Sequence, residues 1–254
     1  LDPAVTVKGD KIYRDGEVID DFRGKVYGLA VDVGTTTVVL DLVDLQTGDS
    51  ACISSFENPQ RFGGSDVMNR ISYDEKHEGE LRRALVNALN HEILEMGKRL
   101  NFSRQEIYEI VIAGNSTMRE ILFRIDVQSI GQRPYKSRIE TEYLAGARTT
   151  TSLFESTRKL GLRANPKARV YALPLIASHV GADTAAALAA IDASDHSGVF
   201  MLVDVGTNTE VVVSDGHRML AASCPAGPAF EGGLIEYGMP GYDGAIESIR
   251  WDDG

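Results

Sequence analysis

One nine-residue phrase occurs twice in this chain of 254 residues, and it constrains the fold more than any other feature. Residues 31–39 read VDVGTTTVV and residues 203–211 read VDVGTNTEV, so seven of the nine positions are identical. Each copy follows an apolar run and leads into a second run rich in β-branched residues. The pattern predicts strand, tight turn, strand, with an aspartate near the end of the first strand.

The turn of each copy has a composition that suits phosphate binding. Gly34 and Gly206 let the backbone approach a ligand closely, and consecutive N–H groups with threonine hydroxyls form a concave set of donors. A single Asp-x-Gly-Thr turn is usually an ordinary hairpin, because Gly and Asp are common turn formers. A turn alone requires neither the same threonines nor the same preceding aspartate. The repetition therefore favours two hairpins that grip a polyphosphate from both sides.

The charge balance and hydropathy exclude several classes of partner. The formal net charge is −11 and the isoelectric point is near 4.9, with no stretch dense in Lys and Arg, so we expect no nucleic-acid partner. No apolar run approaches the roughly 20 residues that a membrane span requires, and no signal-peptide pattern opens the chain. We expect a soluble, cytoplasmic protein with no membrane partner.

The cysteines and histidines show no metal-binding pattern. Cys52 and Cys224 lie far apart in the sequence, so this chain alone cannot build a zinc site or an iron-sulfur cluster from them. We expect both to be buried as small apolar residues. The spacing of the five histidines is also unlike that of metal ligands; they are His77, His91, His179, His196 and His217.

The first half of the chain predicts a meander followed by alternating helices and strands. Apolar residues of the long helix recur on one face, which indicates core packing rather than a cofactor site. Asn115 and its neighbours offer helix caps directly after a buried strand, where ligands of α/β sheets bind. The predicted strands are 26–33, 37–45, 51–56 and 107–113, and the predicted helices are 66–73, 78–100 and 114–123.

The second half contains a less regular segment and then the second copy of the phrase. Residues 124–168 are polar and weakly periodic, which suits a surface insertion or a connecting segment. A short strand at 170–173 precedes an alanine-rich helix at 181–190 that Asp183 would cap. So much alanine permits close backbone contact, as in a hinge helix, although it also reflects high helix propensity. A second meander spans 198–223, followed by a Gly/Pro-rich loop and the start of a helix.

The order of these elements is that of an α/β fold with tandem ribonuclease-H-like lobes. The chain resembles the superfamily of acetate and sugar kinases, heat-shock chaperone ATPases and actin, whose phosphate-binding hairpins correspond to 32–35 and 204–207. We expect an amino-terminal arm or the end of a preceding domain at 1–25 and a first lobe at 26–123. An insertion or connecting segment then spans 124–169, and a hinge helix with an incomplete second lobe spans 170–254.

A closer resemblance covers nearly the whole chain. Phrases in a fixed order resemble those of the reductive activators of corrinoid proteins, which are multidomain iron-sulfur ATPases. These phrases are NPQ at 58–60 with FG at 62–63 and DVM at 66–68, AGNSTM at 113–118, HVGADT at 179–184, DVGTN at 204–208 and AGPAFEG at 226–232.

The resemblance implies a function. Family members couple ATP binding and hydrolysis to one-electron reduction of a Co(II) corrinoid protein to Co(I) for methyl transfer. Electrons enter them through an amino-terminal [2Fe-2S] domain, whose cysteines are not in this sequence, and an adenosine-binding loop is expected beyond its last residue. The incomplete second lobe would leave one sheet face and one edge exposed, and a homodimer is one arrangement that would cover them.

The same resemblance implies roles for individual residues. Asp32 and Asp204 would hold Mg²⁺ through water, and Asp204 would also orient the attacking water. Asn115 and Asp183 would line the cleft, although N-capping alone also explains Asp183. Glu231 would either face the cleft or serve as an acidic residue in the first turn of a helix. The groups that would donate to the phosphates are Gly34, Thr35, Thr36, Gly206, Thr207 and Asn208.

Three alternative functions remain open. A small-molecule kinase on the same fold would need a substrate pocket and a catalytic acid that the sequence does not identify. An activator of 2-hydroxyacyl-CoA dehydratases would need cysteines that bind a cluster between subunits, and Cys52 and Cys224 lie in strand contexts that do not suit this. A non-catalytic interaction module would retain the hairpins only for nucleotide sensing.

Overall fold

The computed structural model describes residues 4–195 and 198–227, together with residues 236, 244, 246 and 249. The chain folds into two compact units, Leu1–Ala193 and Ser194–Gly254.

The first unit contains nine strands and seven α-helices among its described residues. The strands are β1 (Val5–Lys8), β2 (Lys11–Arg14), β3 (Glu17–Asp21), β4 (Tyr27–Val33), β5 (Thr37–Asp44), β6 (Ser50–Glu57), β7 (Ile107–Gly114), β8 (Leu153–Ser156) and β9 (Arg169–Ala172). The α-helices are α1 (Val67–Lys76), α2 (Glu80–Leu100), α3 (Ser116–Leu122), α4 (Gln128–Gly131), α5 (Arg138–Leu144), α6 (Thr157–Leu160) and α7 (Ala182–Ala190). Short 3-10 helices span Pro59–Gly63 and Arg104–Glu106.

A six-stranded mixed sheet forms the centre of this unit. Its strand order is β6-β5-β4-β7-β9-β8, in which β4, β7 and β9 run parallel and β5 is antiparallel to both of its neighbours. This is the ribonuclease-H-like arrangement expected from the sequence. Because β4 and β7 are parallel neighbours, their carboxyl ends lie side by side, with Asp32 opposite Ala113 and Val33 opposite Gly114.

The main core lies between this sheet and α2. Alternate β4 residues are buried, as a strand with one covered face requires, and they pack with the apolar stripe of α2. At the start of β4 the ring of Tyr27 meets Phe102 edge to face, with centroids 5.0 Å apart. The α2 stripe was predicted as core and is buried; it comprises Leu81, Leu85, Leu89, Ile93 and Met96.

Strands β1 to β3, within residues 5–21, form a small sheet of their own ahead of the central sheet. Strands β1, β2 and β3 pair in that order, all antiparallel. Val5 and Ile12 of this sheet pack with Val26 and with Tyr108 of β7. The Tyr108 hydroxyl donates to Asp20 at 2.9 Å, so a polar contact also ties the small sheet to the start of β7.

Residues 124–168 differ from the expected surface insertion. They form α4, α5, β8 and α6, and they contribute Val127, Ile130, Ile139 and Leu160 to the buried core. The elements are only four to seven residues long, which is too short for a readable period. The strand expected at 170–173 is β9, which pairs with β7 in the first sheet, so the first compact unit continues to Ala193.

The second unit contains the predicted meander. It consists of β10 (Phe200–Val205), β11 (Asn208–Ser214) and β12 (Met219–Pro225), with β11 in the middle. One face of this sheet carries exposed apolar side chains, as we expected; they are Met201, Val203, Val205, Val213 and Leu220.

The two cysteines are less buried than expected. Cys224 is exposed and Cys52 is half-buried, so the expectation that both are buried is wrong. Cys224 is exposed because of its register position: it lies opposite Thr209 near the end of β12, where the small sheet is little covered.

No helix in the described ranges is both long and apolar enough to span a membrane.

Candidate phosphate-binding site

Two residues, Asn58 and Arg70, hold the turn between β4 and β5 from behind. The Asn58 side-chain amide donates to the Gly34 carbonyl at 2.7 Å, and the Asn58 backbone N–H donates to the Thr36 carbonyl at 2.6 Å. Nη2 of Arg70 donates to the carbonyl between them, that of Thr35, at 2.6 Å. Three consecutive turn carbonyls are therefore bound to groups on the protein side of the turn.

This arrangement fixes the direction of the turn N–H groups. In a planar trans peptide the C=O of one residue and the N–H of the next point in opposite directions. The N–H groups of Thr35, Thr36 and Thr37 are therefore directed away from Asn58 and Arg70. A Cβ at Gly34 would lie 2.6 Å from the Thr37 carbonyl oxygen, so the tight curvature requires glycine there. The turn thus presents successive donors, which suits an anion.

Asn115 connects the end of β7 to this turn. Its Oδ1 accepts a hydrogen bond from the Met118 N–H at 3.0 Å and caps α3, as the sequence predicted. Its Nδ2 donates to the Thr35 hydroxyl oxygen at 3.1 Å. Since the Thr35 oxygen accepts that bond, its own O–H can donate elsewhere. Asn115 therefore prepares the Thr35 hydroxyl as a further donor.

Two glycines bring the backbone of three elements together here. A Cβ on Gly114, whose φ is +143°, would lie 2.7 Å from the Val33 carbonyl oxygen. A Cβ on Gly181 would lie 2.6 Å from the Asn115 Cα and 2.9 Å from the Gly114 carbonyl oxygen. The ends of β4 and β7 and the start of α7 consequently meet at one point, where only glycine fits.

Asp183 lies at this junction but does not cap α7. The helix begins at Ala182 with Gly181 as its N-cap residue and without a side-chain cap, so the predicted capping role is wrong. Gly181, which packs against Asn115, takes the N-cap position instead of Asp183. The Asp183 Oδ1 accepts from the Thr184 N–H at 2.8 Å and would be 2.7 Å from a Cβ on Gly181. This carboxylate therefore lies beside Gly114 and Asn115.

Asp32 is the penultimate residue of β4, close to the same junction. It pairs with Val39 across β5 and with Ala113 across β7, and its side chain is exposed. The structure thus places five predicted site residues within one region of the first unit: Asp32, Gly34, Thr35, Asn115 and Asp183. Thr36 belongs to the same turn.

The second hairpin repeats the phrase but not the register. In the first hairpin Asp32 pairs with Val39, whereas in the second Asp204 pairs with Glu210, one residue earlier than the repeat would give. Directly opposed residues of antiparallel strands project to the same face, so the two carboxylates are neighbours. Glu210 is buried and accepts from the Ser223 hydroxyl at 2.8 Å.

Glu210 is a residue that the sequence reasoning missed. A signal was present, because position 210 carries a charge where the first copy has Val38. The remaining turn residues, Gly206, Thr207 and Asn208, follow Asp204 after Val205, and Gly206 N–H donates to the Asn208 carbonyl at 3.1 Å. Glu231, the last predicted site residue, lies outside the described residues.

The carboxylates fit a magnesium ion that retains most of its water. Within 4–195 and 198–227 no three His, Cys, Asp or Glu side chains are grouped so that they could hold a metal by themselves. Mg²⁺ is usually held by one or two carboxylates, phosphate oxygens and several waters, so a dedicated cage is not needed. Asp32 in one hairpin, and Asp204 with Glu210 in the other, supply such carboxylates.

Comparison with known proteins shows the family. Residues 27–196 match the family described as the RACo middle region, and residues 198–254 match the C-terminal domain of RACo, the ASKHA domain. A solved structure of a reductive activator for a corrinoid, iron-sulfur protein is 32% identical, with a TM-score of 0.78 over 90% of this chain and 34% of that one.

Two curated relatives have related names. The corrinoid activation enzyme RamQ of Eubacterium limosum is 32% identical over 98% of this chain. A reductase of the Co(II) methylated amine-specific corrinoid protein of Methanosarcina barkeri is 24% identical over 89% of it. The chain spans 40% and 41% of these relatives. The family matches, together with the hairpins and the ribonuclease-H-like sheet, show that this chain belongs to the RACo family, the reductive activators of corrinoid proteins.

Proposed function

We propose that this chain binds Mg·ATP through the phosphate-binding turns of its two hairpins and hydrolyses it. The observation that carries the proposal is the β4–β5 turn, whose three carbonyls are held back by Asn58 and Arg70 while Asn115 engages the Thr35 hydroxyl. A turn built in this way offers donors to an anion before the anion arrives, which lowers the cost of binding. Thr36 in this turn and Gly206, Thr207 and Asn208 in the second would add donors.

The carboxylates have complementary roles in this proposal. Asp32 and Asp204 would hold Mg²⁺ through its water ligands, and Glu210 adds a second carboxylate beside Asp204. When bound, Mg²⁺ supplies positive charge to the phosphate oxygens. Asp204 accepts a hydrogen bond from the attacking water in this proposal and so orients it. Asp183 lines the same cleft from the start of α7, and Glu231 is a further candidate for its wall.

Family membership supports a coupled reaction. We propose that hydrolysis drives one-electron reduction of a Co(II) corrinoid protein to Co(I), the form that accepts a methyl group. The partner is the corrinoid protein of a methyltransferase system, and the names of the relatives RamQ and the amine-specific reductase support this choice. An amino-terminal [2Fe-2S] domain of the full protein would deliver the electron. The proposed location of the protein is the cytoplasm. A homodimer is one arrangement that would cover the exposed face of the β10–β12 sheet.

Steady-state ATP hydrolysis with and without a Co(II) corrinoid protein tests this function. We expect the corrinoid protein to increase turnover, with Co(I) formation visible in the absorption spectrum only when ATP and an electron donor are present. Turnover that requires a phosphoryl acceptor instead would indicate a small-molecule kinase. Binding of ATP without hydrolysis under any of these conditions would indicate an interaction module.

A 2-hydroxyacyl-CoA dehydratase activator would give a different pattern. Its ATP hydrolysis would depend on a dehydratase and not on a corrinoid protein. No described feature favours that candidate, because Cys224 is exposed at a strand end and Cys52 lies within β6.

A further inference from the structure

Arg70 is a buried arginine directly behind the β4–β5 turn. It lies on α1 with 1% of its surface exposed. Its Nε donates to the Gly64 carbonyl at 2.9 Å, its Nη2 to the Thr35 carbonyl at 2.6 Å, and its Nη1 contacts the Met118 sulfur at 3.1 Å. Each guanidinium nitrogen therefore has a partner, and every partner atom is uncharged.

The charge of this guanidinium is largely uncompensated. Burial lowers the pKa of Arg70 to about 10, so the group remains protonated at neutral pH. Among the described residues, only Asp66 at the start of α1 contributes an opposing charge. A buried cation without a paired anion is costly, and a neutral donor would hold a carbonyl at lower cost. Holding the turn carbonyl therefore does not by itself explain a charged side chain at this buried position.

The second hairpin shows that a neutral solution exists. The carbonyl of Thr207, which corresponds to Thr35 in the repeat, accepts from the backbone N–H groups of Ala226 at 3.1 Å and Gly227 at 2.9 Å. Two uncharged amides thus hold the equivalent carbonyl in a turn of nearly the same sequence. Among the described residues, the Thr35 carbonyl is thus held by a charged group and the Thr207 carbonyl by backbone amides.

The bond from Arg70 also acts on the opposite side of the turn. The Thr35 carbonyl and the Thr36 N–H belong to one peptide group, so a charged donor on the oxygen polarises the peptide and makes that N–H a stronger donor. The guanidinium thus lies one peptide away from the proposed phosphate position, in a buried environment where water screens its charge weakly.

We propose that Arg70 is a positioning residue of the phosphate site: it sets the direction of the turn N–H groups and supplies a fixed positive charge that favours polyphosphate ligands. This inference rests on the proposed ATP binding and extends it to a residue that need not touch the ligand. The charge contribution predicts selectivity for the phosphates over the nucleoside, which a purely structural anchor would not give.

The test compares Arg70→Gln and Arg70→Lys with wild type in the full-length protein, by calorimetric titration with Mg·ATP and with adenosine. Glutamine removes the charge and shortens the reach, and we expect Mg·ATP affinity to fall at least about tenfold. Lysine keeps the charge but loses the planar fork, so it should restore part of that loss. Adenosine affinity should stay within about twofold of wild type in both variants.

Arg14 provides a matched control. It is also a buried arginine that holds two carbonyls, those of Tyr108 at 2.8 Å and Lys167 at 2.7 Å. Tyr108 lies near the start of β7, about 20 Å from the end of that strand at the site. Arg14→Gln should therefore lower stability as Arg70→Gln does, as judged by thermal unfolding, and leave Mg·ATP affinity unchanged.

Each outcome decides a separate point. Failure of the wild type to bind Mg·ATP would refute the proposed function itself. If the wild type binds and Arg70→Gln binds equally well, the role of Arg70 is refuted. Equal losses of Mg·ATP and adenosine affinity, or an equal loss in Arg14→Gln, would show a structural anchor and also refute it. If Arg70→Gln does not fold, Arg70→Lys decides the point. A lysine variant that folds but retains none of the wild-type preference for Mg·ATP over adenosine would also refute the role of Arg70.

Discussion

Replacement of Asn115 separates helix capping from phosphate-site construction, because its two amide atoms do different things. The Oδ1 caps α3 through the Met118 N–H, and the Nδ2 contacts the Thr35 hydroxyl oxygen. Serine retains a side-chain oxygen that can cap, but it is too short to reach Thr35. Alanine removes both interactions.

The magnitudes follow from these two contacts. Loss of an N-cap costs typically about 1 kcal/mol, and loss of one hydrogen bond about 0.5–1.5 kcal/mol. Asn115→Ala should therefore lower the free energy of unfolding by about 2 kcal/mol, and Asn115→Ser by about 1 kcal/mol. Without the amide donor the Thr35 hydroxyl is no longer oriented toward the ligand. Mg·ATP affinity should then fall about tenfold in both variants, equivalent to about 1.4 kcal/mol.

Urea unfolding and calorimetric titration measure the two effects independently. The control is Ser156→Ala, which removes the cap of α6, where Ser156 Oγ accepts from the Lys159 N–H at 3.3 Å beside the edge strand β8. This control should lose stability and keep full Mg·ATP affinity. Wild-type affinity in Asn115→Ser would refute the argument that the amide prepares Thr35.

Three other perturbations give further tests. Asp204→Ala should abolish ATP hydrolysis and Asp32→Ala should weaken Mg²⁺-dependent nucleotide binding, each by about 2–4 kcal/mol in barrier or binding; unchanged kinetics and titrations in both would contradict the assigned roles. Gly181→Ala places a Cβ 2.6 Å from the Asn115 Cα and should cost about 1–3 kcal/mol in urea unfolding, whereas Gly198→Ala, which meets no atom within 4 Å, should be neutral. Burial raises the pKa of Glu120 to about 7, above its value in the unfolded chain, so its protonated form stabilises the fold below about pH 4.5 and this contribution is lost as the pH rises toward 7. Glu120→Gln should therefore gain stability relative to wild type between pH 5 and pH 7.5, and parallel urea midpoints over that range would count against a buried titrating carboxyl.

The sequence allowed the first hairpin and its location to be predicted. The glycine and threonines define the turn, and buried strands that end in polar residues indicate the carboxyl edge of a parallel sheet. That reasoning brought Thr35 and Asn115 to the same edge although 80 positions separate them. The contact itself depends on the register of β4 against β7, which local periodicity does not encode.

The parts that could not be predicted depend on long-range packing. Asn58 and Arg70 hold the turn from separate segments, and a polar residue in a helix gives no local indication of a distant carbonyl. The cap of α7 was assigned to Asp183, whereas Gly181 takes the N-cap position and packs on Asn115, a tertiary contact that no local capping signal reveals. Glu210 was overlooked because the second register differs by one residue from the first.

A crystal structure of the full-length protein with Mg²⁺ and a non-hydrolysable ATP analogue tests the central claim most directly. The account predicts phosphate oxygens within 2.7–3.2 Å of N–H groups in both turns, residues 34–37 and residues 206–208, with Asp32 and Asp204 on water ligands of the ion. Thr35 should donate its hydroxyl to a phosphate while accepting from Asn115. Nucleotide bound elsewhere, or phosphates that contact only one hairpin, would contradict the claim that the repeated phrase forms a two-sided phosphate clamp.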